Sequence, residues 1–490
     1  MTVLDYLVIA LYGLGLIVIG RHYARQVRTA DDYLLGGRSM NPLMIGLSLF
    51  ATLTSTLTYL ALPGEMAKNG PVVFAELLSL PFAFAIVGWL LIPRIVAQRA
   101  TSGYELLEAR LGLTGRLLGA SMFVLLRVFW MGSILYATLS VVLIPLLELD
   151  PNWMPVLSLA MAGITLAYTA GGGFKAVVVT DAIQAVLMFF GAIATIVIAT
   201  IALGGVGAWW PTSWPAHWPE PKVLPAPGSS RTVVGAFCAM LVWLTCTAGS
   251  DQMAIQRYLA TRDAAAARRS FGIQLLSTVL SVVMLGIAGL AVMGYFQAKP
   301  EAMKAGWTIA TDADKLMPHF IVIALPSGLT GLVIAAILAA AMSSLSSGFN
   351  STSAVIVRDF LGRARGREIP SSDEVRLARI VSVVVAALAV GLSLIVGSLA
   401  SNLLELCFKV VNLLSAPIFV LFFLAMFVPR ATSRAAVVAT VASVAVAVMV
   451  AFGWGAKWFL WSPPAALLAG VVVGTLASRL TSSKRPSVPT

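Results

Sequence analysis

Apolar runs of about 20 residues recur from end to end of this 490-residue chain, each closed by charge or by Pro and Gly. A helix needs about 20 apolar residues to cross a bilayer, whereas a barrel strand alternates over about 10. The chain therefore reads as an all-α integral membrane protein. Composition agrees, with 59% hydrophobic and 11% charged residues, against roughly a quarter charged in a soluble domain.

Thirteen helices are expected, at 4–20, 42–62, 72–97, 117–147, 153–171, 176–203, 232–256, 270–296, 326–352, 375–396, 401–428, 435–454 and 463–480. Alternate loops then fall on opposite sides. Of 33 Lys and Arg, one set of loops holds 24; the other holds Lys68, Lys222, Arg231, Lys299, Lys304, Lys315 and Lys457. The positive-inside rule makes the first set cytoplasmic. The expected product is a multi-pass protein of the cell membrane, N-terminus outside and C-terminus in the cytoplasm. The net charge of +12 is then a topology signal, so the partner is a lipid bilayer and nucleic acid is not implied. A monomer is expected. The first run has no basic residue before it and four arginines soon after, the reverse of a signal peptide. Residues 204–231 and 297–325 are the long outer loops; the former, rich in Trp and Pro, suits an interfacial anchor.

Helices 2–6 begin at the cytoplasmic side and helices 7–11 at the outside. Five is odd, so two successive five-helix units have opposite orientation, as in many secondary transporters. Residues 42–203 form the first unit and 232–428 the second. A first helix with its loop (1–41) and two last helices with a tail (429–490) flank them, and 204–231 joins them. The first helix of each unit is expected to be discontinuous. Thr52, Thr54, Ser55, Thr56 and Thr58 lie mid-way in one, and Thr245, Thr247, Gly249 and Ser250 in the other. Hydroxyls can satisfy backbone groups that unwinding frees. Close helix packing is the other reading of such clusters.

Ionisable groups at membrane depth need a partner or a task. The candidates are Glu76, Arg127, Asp181, Asp251, Glu405 and Lys409. Asp251 is expected to pair with Arg257, and Glu405 with Lys409 at i, i+4. Arg127 either meets an anionic solute or pairs with Glu76. Asp181 is placed to meet the hydroxyl-rich segment 339–352, "AAAMSSLSSGFNST". There Ala340, Ser343, Ser344 and Ser347 share one helix face, with Ser346 beside it. Hydroxyl and carbonyl oxygens with at most one carboxylate suit a monovalent cation better than calcium. Cys238, Cys246 and Cys407 read as packing residues, and the three histidines form no ligand set.

The stretches "TADDYLLGGR" (29–38), "FATLTS" (50–55), "SGYELLEARLG" (102–112), "GGGFKAVVVTDAIQ" (171–184), "DQMAIQRYL" (251–259), "AAAMSSLSSGFNST" (339–352) and "VNLLSAPIFVLFFLAMF" (411–427) resemble, in order, the sodium:solute symporter family. The resemblance implies the inverted five-helix-repeat fold of the leucine-transporter type, with sodium as coupling ion. It implies a general sodium site of the Ala51, Thr54 and Ala340 carbonyls with the Ser343 and Ser344 hydroxyls. It also implies a second sodium site of Asp181, Ser343, Ser346 and Ser347. The solute would lie by Ser55, Thr58, Val73, Leu77, Trp130 and Thr247, with Arg127 one turn away. Trp130 and Leu77 stand where sialic acid carriers of this family are similar in depth but have arginine and glutamine.

Sodium-driven uptake of a small polar organic solute, such as a sugar, a sialic-acid-like molecule or a carboxylate, is the leading expectation. A proton-coupled carrier using Asp181 is the alternative. A membrane sensor is a third, disfavoured because only about ten residues follow the last helix. No nucleophile–base pair or metal motif suggests an enzyme.

Overall fold

The computed structural model describes residues 1–98, 100–224, 232–364, 370–399, 403–453 and 460–481, and side chains throughout these except 397–412. Among the described residues every regular element is helical. Ten helical stretches are long and apolar enough to cross a membrane, and Pro42–Leu53 and Leu413–Phe427 are shorter apolar helices.

The chain opens with α1 (Val3–Ala24) and the short α2 (Ala30–Leu35). The run expected over 42–62 is broken into α3 (Pro42–Leu53) and α4 (Thr56–Asn69), with Thr54 and Ser55 extended between them. A tight-turned stretch, Gly70–Ser79, leads into α5 (Leu80–Ala85) and, past a wide turn, α6 (Ile92–Val96). Next come α7 (Tyr104–Tyr136), the single-turn α8 (Ile144–Leu146) and the 50-residue α9 (Met154–Leu203). The second half begins with α10 (Val233–Ser250) and α11 (Gln252–Leu259), separated by an extended Asp251. Then follow α12 (Ala264–Ala298), α13 (Ile309–Ala324), α14 (Leu329–Val355), the short α15 (Gly362–Ala364), α16 (Ser371–Leu399), α17 (Leu403–Phe427), α18 (Ser433–Val448) and α19 (Ser462–Thr481).

The expected helices 153–171 and 176–203 are the two arms of α9, which part at Gly173, where the backbone leaves the helical conformation. Fifty residues would span about 75 Å if straight, far beyond a hydrocarbon core of about 30 Å. Gly173 makes the bend with φ +63°, a conformation side chains disfavour. Gly112 (φ +74°) likewise divides α7, so that residues 104–111 fold back and Leu107 and Tyr104 pack on Gly119. The thirteen expected spans are reached only by counting both arms of α9 and both shorter apolar helices.

Burial orders the helices. The window of Leu329–Ala364 is 83% buried and that of Val3–Ala24 only 17%, so α14 is the axis of the fold and α1 its edge. Exposed Leu, Val and Trp cover the outer helix faces, the surface a bilayer solvates. Even α1 is tied in: the buried Asp5 carboxylate accepts the Gly328 and Gly331 amides at 2.7 and 2.9 Å, capping the start of α14.

Two loop expectations change. Residues 297–325 contain α13, whose backbone at Asp314 packs against Gly64 of α4. In the first outer loop Trp210 and Trp214 are exposed, but Trp209 and Trp218 are buried in the protein. The Trp218 indole donates to the Ala67 carbonyl at 2.9 Å, closing the end of α4. Residues 225–231 of that loop lie outside the described set.

A Cβ at Gly173 would meet the Tyr33 ring at 2.9 Å and the Tyr33 carbonyl oxygen at 3.0 Å. Gly173→Ala is expected to cost about 1–3 kcal/mol, read as a lowered thermal midpoint in detergent. Gly163→Ala, in the same helix with nothing within 4 Å, should leave that midpoint unchanged or slightly raised.

Candidate functional site

The break after α3 sets out a row of free acceptors. In a continuous helix the carbonyls of residues 51 and 52 would receive the amides of residues 55 and 56. Here the chain turns extended at Thr54 and Ser55, and those carbonyls lose their helical donors. Serines of α14 supply the replacement. Ser343 Oγ donates to the Ala51 carbonyl at 2.8 Å and lies 3.2 Å from that of Ala340. Ser344 Oγ donates to the Thr52 carbonyl at 3.0 Å and lies 3.4 Å from that of Ala340. Ala51, Ala340, Ser343 and Ser344 are thus brought together in a buried cluster of oxygens, each residue at most 1% exposed. Thr54 caps α3 at its edge, and the carbonyl that Ser344 reaches is that of Thr52.

One turn further along α14 a second cluster forms. Asp181, from the second arm of α9, is fully buried. Its Oδ2 accepts Ser48 Oγ at 2.6 Å and Ser347 Oγ at 3.3 Å, and its Oδ1 accepts Ser346 Oγ at 3.3 Å. Thr52 Oγ1 lies 2.8 Å from Ser347 Oγ, linking this cluster to the first. Asp181, Ser346 and Ser347 meet, while Ser343 turns to Ala51 instead.

A cation of the protein's own stands in that cluster. Arg257 Nη2 donates to Asp181 at 2.8 Å and to Ser347 Oγ at 2.5 Å. Its Nε donates to Ser48 Oγ at 2.9 Å and its Nη1 to the Met253 carbonyl at 2.8 Å. The expected Asp251–Arg257 pair does not form. Six residues along a helix turn a side chain through about 240°, so from one end of α11 they point apart. Asp251 pairs instead with Arg127, which also overturns the Arg127–Glu76 option. Glu405 and Lys409 have side chains outside the described set. Arg257 and Ser48 were not foreseen. The available signal was Arg257 itself, an arginine closing an apolar run and needing a counter-charge.

The expected solute residues are dispersed over α4, the 70–79 stretch, α7 and α10. Ser55 is buried at the start of α4, with Thr58 exposed one turn on. Val73 and Leu77 are half-buried on the 70–79 stretch, which runs beside α10, and Trp130 is half-buried on α7. Arg127 pairs with the Asp251 carboxylate, while Thr247 is buried one turn earlier on α10, its backbone carbonyl accepting the Asp251 amide at 3.1 Å.

On the far side of Asp251, buried polar contacts close the bundle. Ser102 Oγ and Arg116 Nε both donate to Asp359, at 2.7 and 2.6 Å. Arg116 also reaches Glu108 at 2.5 Å. Gln252 Oε1 accepts the Gly103 amide at 2.9 Å, and Gln256 donates to Asn350 Oδ1 at 2.8 Å.

Broken helices coordinate ions in many secondary carriers. A family model described as the sodium:solute symporter family matches residues 33–442. The chain belongs to the sodium:solute symporter family. It is a sodium-coupled transporter and not an enzyme. The sodium/sialic acid symporter SiaT of Proteus mirabilis is 26% identical, covering 97% of this chain and 95% of that protein. The sodium-coupled monocarboxylate transporter 1 of Xenopus laevis is 28% identical, covering 100% of this chain and 79% of that one. A substrate-bound outward-open Na+-coupled sialic acid symporter superposes with a TM-score of 0.84 at 25% identity, covering 98% of both chains. Mhp1, of the nucleobase-cation-symport-1 family, has a TM-score of 0.59 at 13% identity and shares the fold.

Asp181→Asn would strip a buried guanidinium of its counter-charge. A cost of about 3–5 kcal/mol is expected, measured by thermal unfolding in detergent. Asp181→Asn combined with Arg257→Gln removes both charges and should recover most of that loss.

Proposed function

We propose that this symporter imports a small polar organic solute by alternating access. The general sodium site comprises the carbonyls of Ala51, Thr54 and Ala340 and the hydroxyls of Ser343 and Ser344. The observation that carries the reading is the direct contact of the Ser343 and Ser344 hydroxyls with carbonyls freed at the broken end of α3. These oxygens belong to different halves of the chain. A cation among them joins the halves, and its departure lets them part. Hydroxyl and carbonyl dipoles replace sodium's water without asking the bilayer interior to hold a net negative site.

Asp181, Ser346 and Ser347, with Ser343 adjacent, form the second sodium site in this reading. Arg257 already neutralises Asp181, so a second ion enters only as the guanidinium withdraws. Using Asp181 as a proton carrier would also require breaking that buried pair in each cycle, whereas an ion at the general site needs no such step, which favours sodium over the proton alternative. The solute lies along Ser55, Thr58, Val73, Leu77, Trp130, Thr247 and Arg127. Relatives named for sialic acid and for monocarboxylates support a polar organic solute of the sugar, sialic-acid-like or carboxylate type.

The protein works as a monomer in the cell membrane, N-terminus outside and C-terminus in the cytoplasm, as its loop charges indicate. Residues 42–203 and 232–428 are its two opposed five-helix units. Each positive charge carried inward gains about 2.3 kcal/mol per 100 mV. At about 1.4 kcal/mol per tenfold, that drives on the order of fifty-fold accumulation per ion.

Uptake into proteoliposomes should require an inward sodium gradient. Ser343→Ala should raise the half-saturating sodium concentration about tenfold, the scale on which weakened metal sites respond. Uptake that persists with choline in place of sodium would reject the proposal.

A further inference from the structure

The first arm of α9, residues 154–172, lies between α1 and α16 at the edge of the bundle. Helix α1 presses on one flank: a Cβ at Gly20 would meet the Tyr168 Cα at 2.4 Å, and one at Gly172 the Gly20 carbonyl oxygen at 2.8 Å. Helix α16 closes the other flank. Ser393 Oγ donates to Ser158 Oγ at 3.3 Å, and Arg379 Nε to the Ala170 carbonyl at 3.1 Å. Between these flanks the arm turns Ala160, Gly163 and Ala167 outward, all exposed, and a Cβ at Gly163 would meet nothing within 4 Å. Residues three and four apart share one helix face, so these three line a trough. Larger exposed side chains wall it, Leu14 and Ile17 on α1 and Val383 and Leu394 on α16.

Basic side chains from both walls gather where the trough ends, at the parting of the two arms of α9. Arg21 is in the last turn of α1, with Arg25 and Arg28 just beyond, and Arg376 and Arg379 are one turn apart on α16. Arg21 follows Leu14 by two turns and Arg376 precedes Val383 by two turns, so each stands on the same wall as its apolar neighbour. All five arginines are exposed, and among the described residues none of them makes an ion pair. Arg379 is held in place: its guanidinium lies 5.8 Å from the Tyr33 ring centroid, and the Tyr33 hydroxyl donates to the same Ala170 carbonyl at 3.3 Å. Nearby carboxylates are engaged elsewhere. Asp31 pairs with Arg38, Asp32 caps the start of α2, and Glu374 pairs with Arg358. Asp373, exposed at the start of α16, offsets at most one of the five charges.

We propose that this trough seats an anionic phospholipid, with an acyl chain along Ala160, Gly163 and Ala167 and the phosphate among the arginines of α1 and α16. Basic residues in general mark one side of a membrane protein. Here unpaired arginines from two distant segments meet at the closed end of an apolar recess, which is the shape and charge of a lipid rather than of a bare surface. Guanidinium groups match phosphate oxygens, and the uncompensated charge favours an acidic headgroup over a zwitterionic one. The lipid joins α1, α9 and α16 where α9 changes direction. Asp181 lies two turns further along the second arm, so the lipid braces the support of the Asp181 cluster. The inference needs a chain that spans a bilayer and does not depend on the symport reading.

The purified full-length chain in detergent is titrated with phosphatidylglycerol, phosphatidylcholine or soluble glycerol phosphate, and the thermal midpoint is followed. Phosphatidylglycerol should raise the midpoint at concentrations at least about tenfold below phosphatidylcholine, and glycerol phosphate should leave it unchanged. Arg21→Gln combined with Arg25→Gln should raise the half-saturating phosphatidylglycerol concentration about 25-fold, roughly fivefold for each charge. Gly163→Leu fills the trough and touches no charge; it should weaken binding on the order of tenfold, the worth of two displaced methylenes. Arg268→Gln, whose guanidinium lies over the Trp89 ring, should change nothing. Because a half-saturating concentration is read, a shifted starting midpoint does not mimic these results. Equal responses to the two phospholipids, protection by glycerol phosphate alone, or unaltered phosphatidylglycerol affinity in either the double arginine variant or Gly163→Leu would overturn the proposal.

Discussion

A fully buried guanidinium organises this molecule. Arg257 has no access to water, so each of its donors must find an acceptor inside the protein. It finds them on α3 (Ser48), α9 (Asp181), α14 (Ser347) and its own α11 (Met253). All eight residues of α11 are buried, among them two glutamines and this arginine. Gln252 holds Gly103, while Gln256 holds the Leu34 carbonyl, Asn350 and, through its oxygen, Ser351. One short polar helix is thus the meeting point of five separate segments. Such a helix cannot be left half-satisfied, and that fixes where α3, α9 and α14 stand relative to one another.

The break in α3 follows the same economy. Interrupting a helix in a membrane leaves backbone acceptors that lipid cannot satisfy. The serines of α14 meet them, and in doing so place an oxygen-rich pocket at the contact of two helices. The structural remedy and the proposed cation site are one arrangement. The hydroxyls that close the gap are the groups that would turn their lone pairs to an ion. Few added charges are needed, because the dipoles are already oriented.

How much of this was legible in the sequence depended on the range of the signal. The apolar runs announced the helices, and the hydroxyl cluster at residues 52–58 announced the interruption of α3, because both are local patterns. Residues 172–175 were read as a loop between two spans, and the two arms of α9 do part there, at Gly173. Helix α13 was missed because Asp312, Lys315 and Pro318 make it look like a loop, and its packing on α4 is a tertiary fact. The meeting of Asp181 with the α14 serines was foreseen from chemistry. Arg257 was not, because its charge was counted as a cytoplasmic loop charge. Once it is taken into the membrane, Asp181 becomes its counter-ion and Asp251 is released to Arg127.

Three buried arginine–aspartate pairs join the bundle, Arg116–Asp359, Arg127–Asp251 and Arg257–Asp181, and the last two differ in how completely the arginine is used. Arg257 engages Nε, Nη1 and Nη2 in four separate contacts, leaving little for a visitor except by displacement. Arg127 keeps its Nε without a partner. A saturated pair suits a role in holding the fold, or in exchanging one cation for another. The same chemistry is finished in one place and left unfinished in the other.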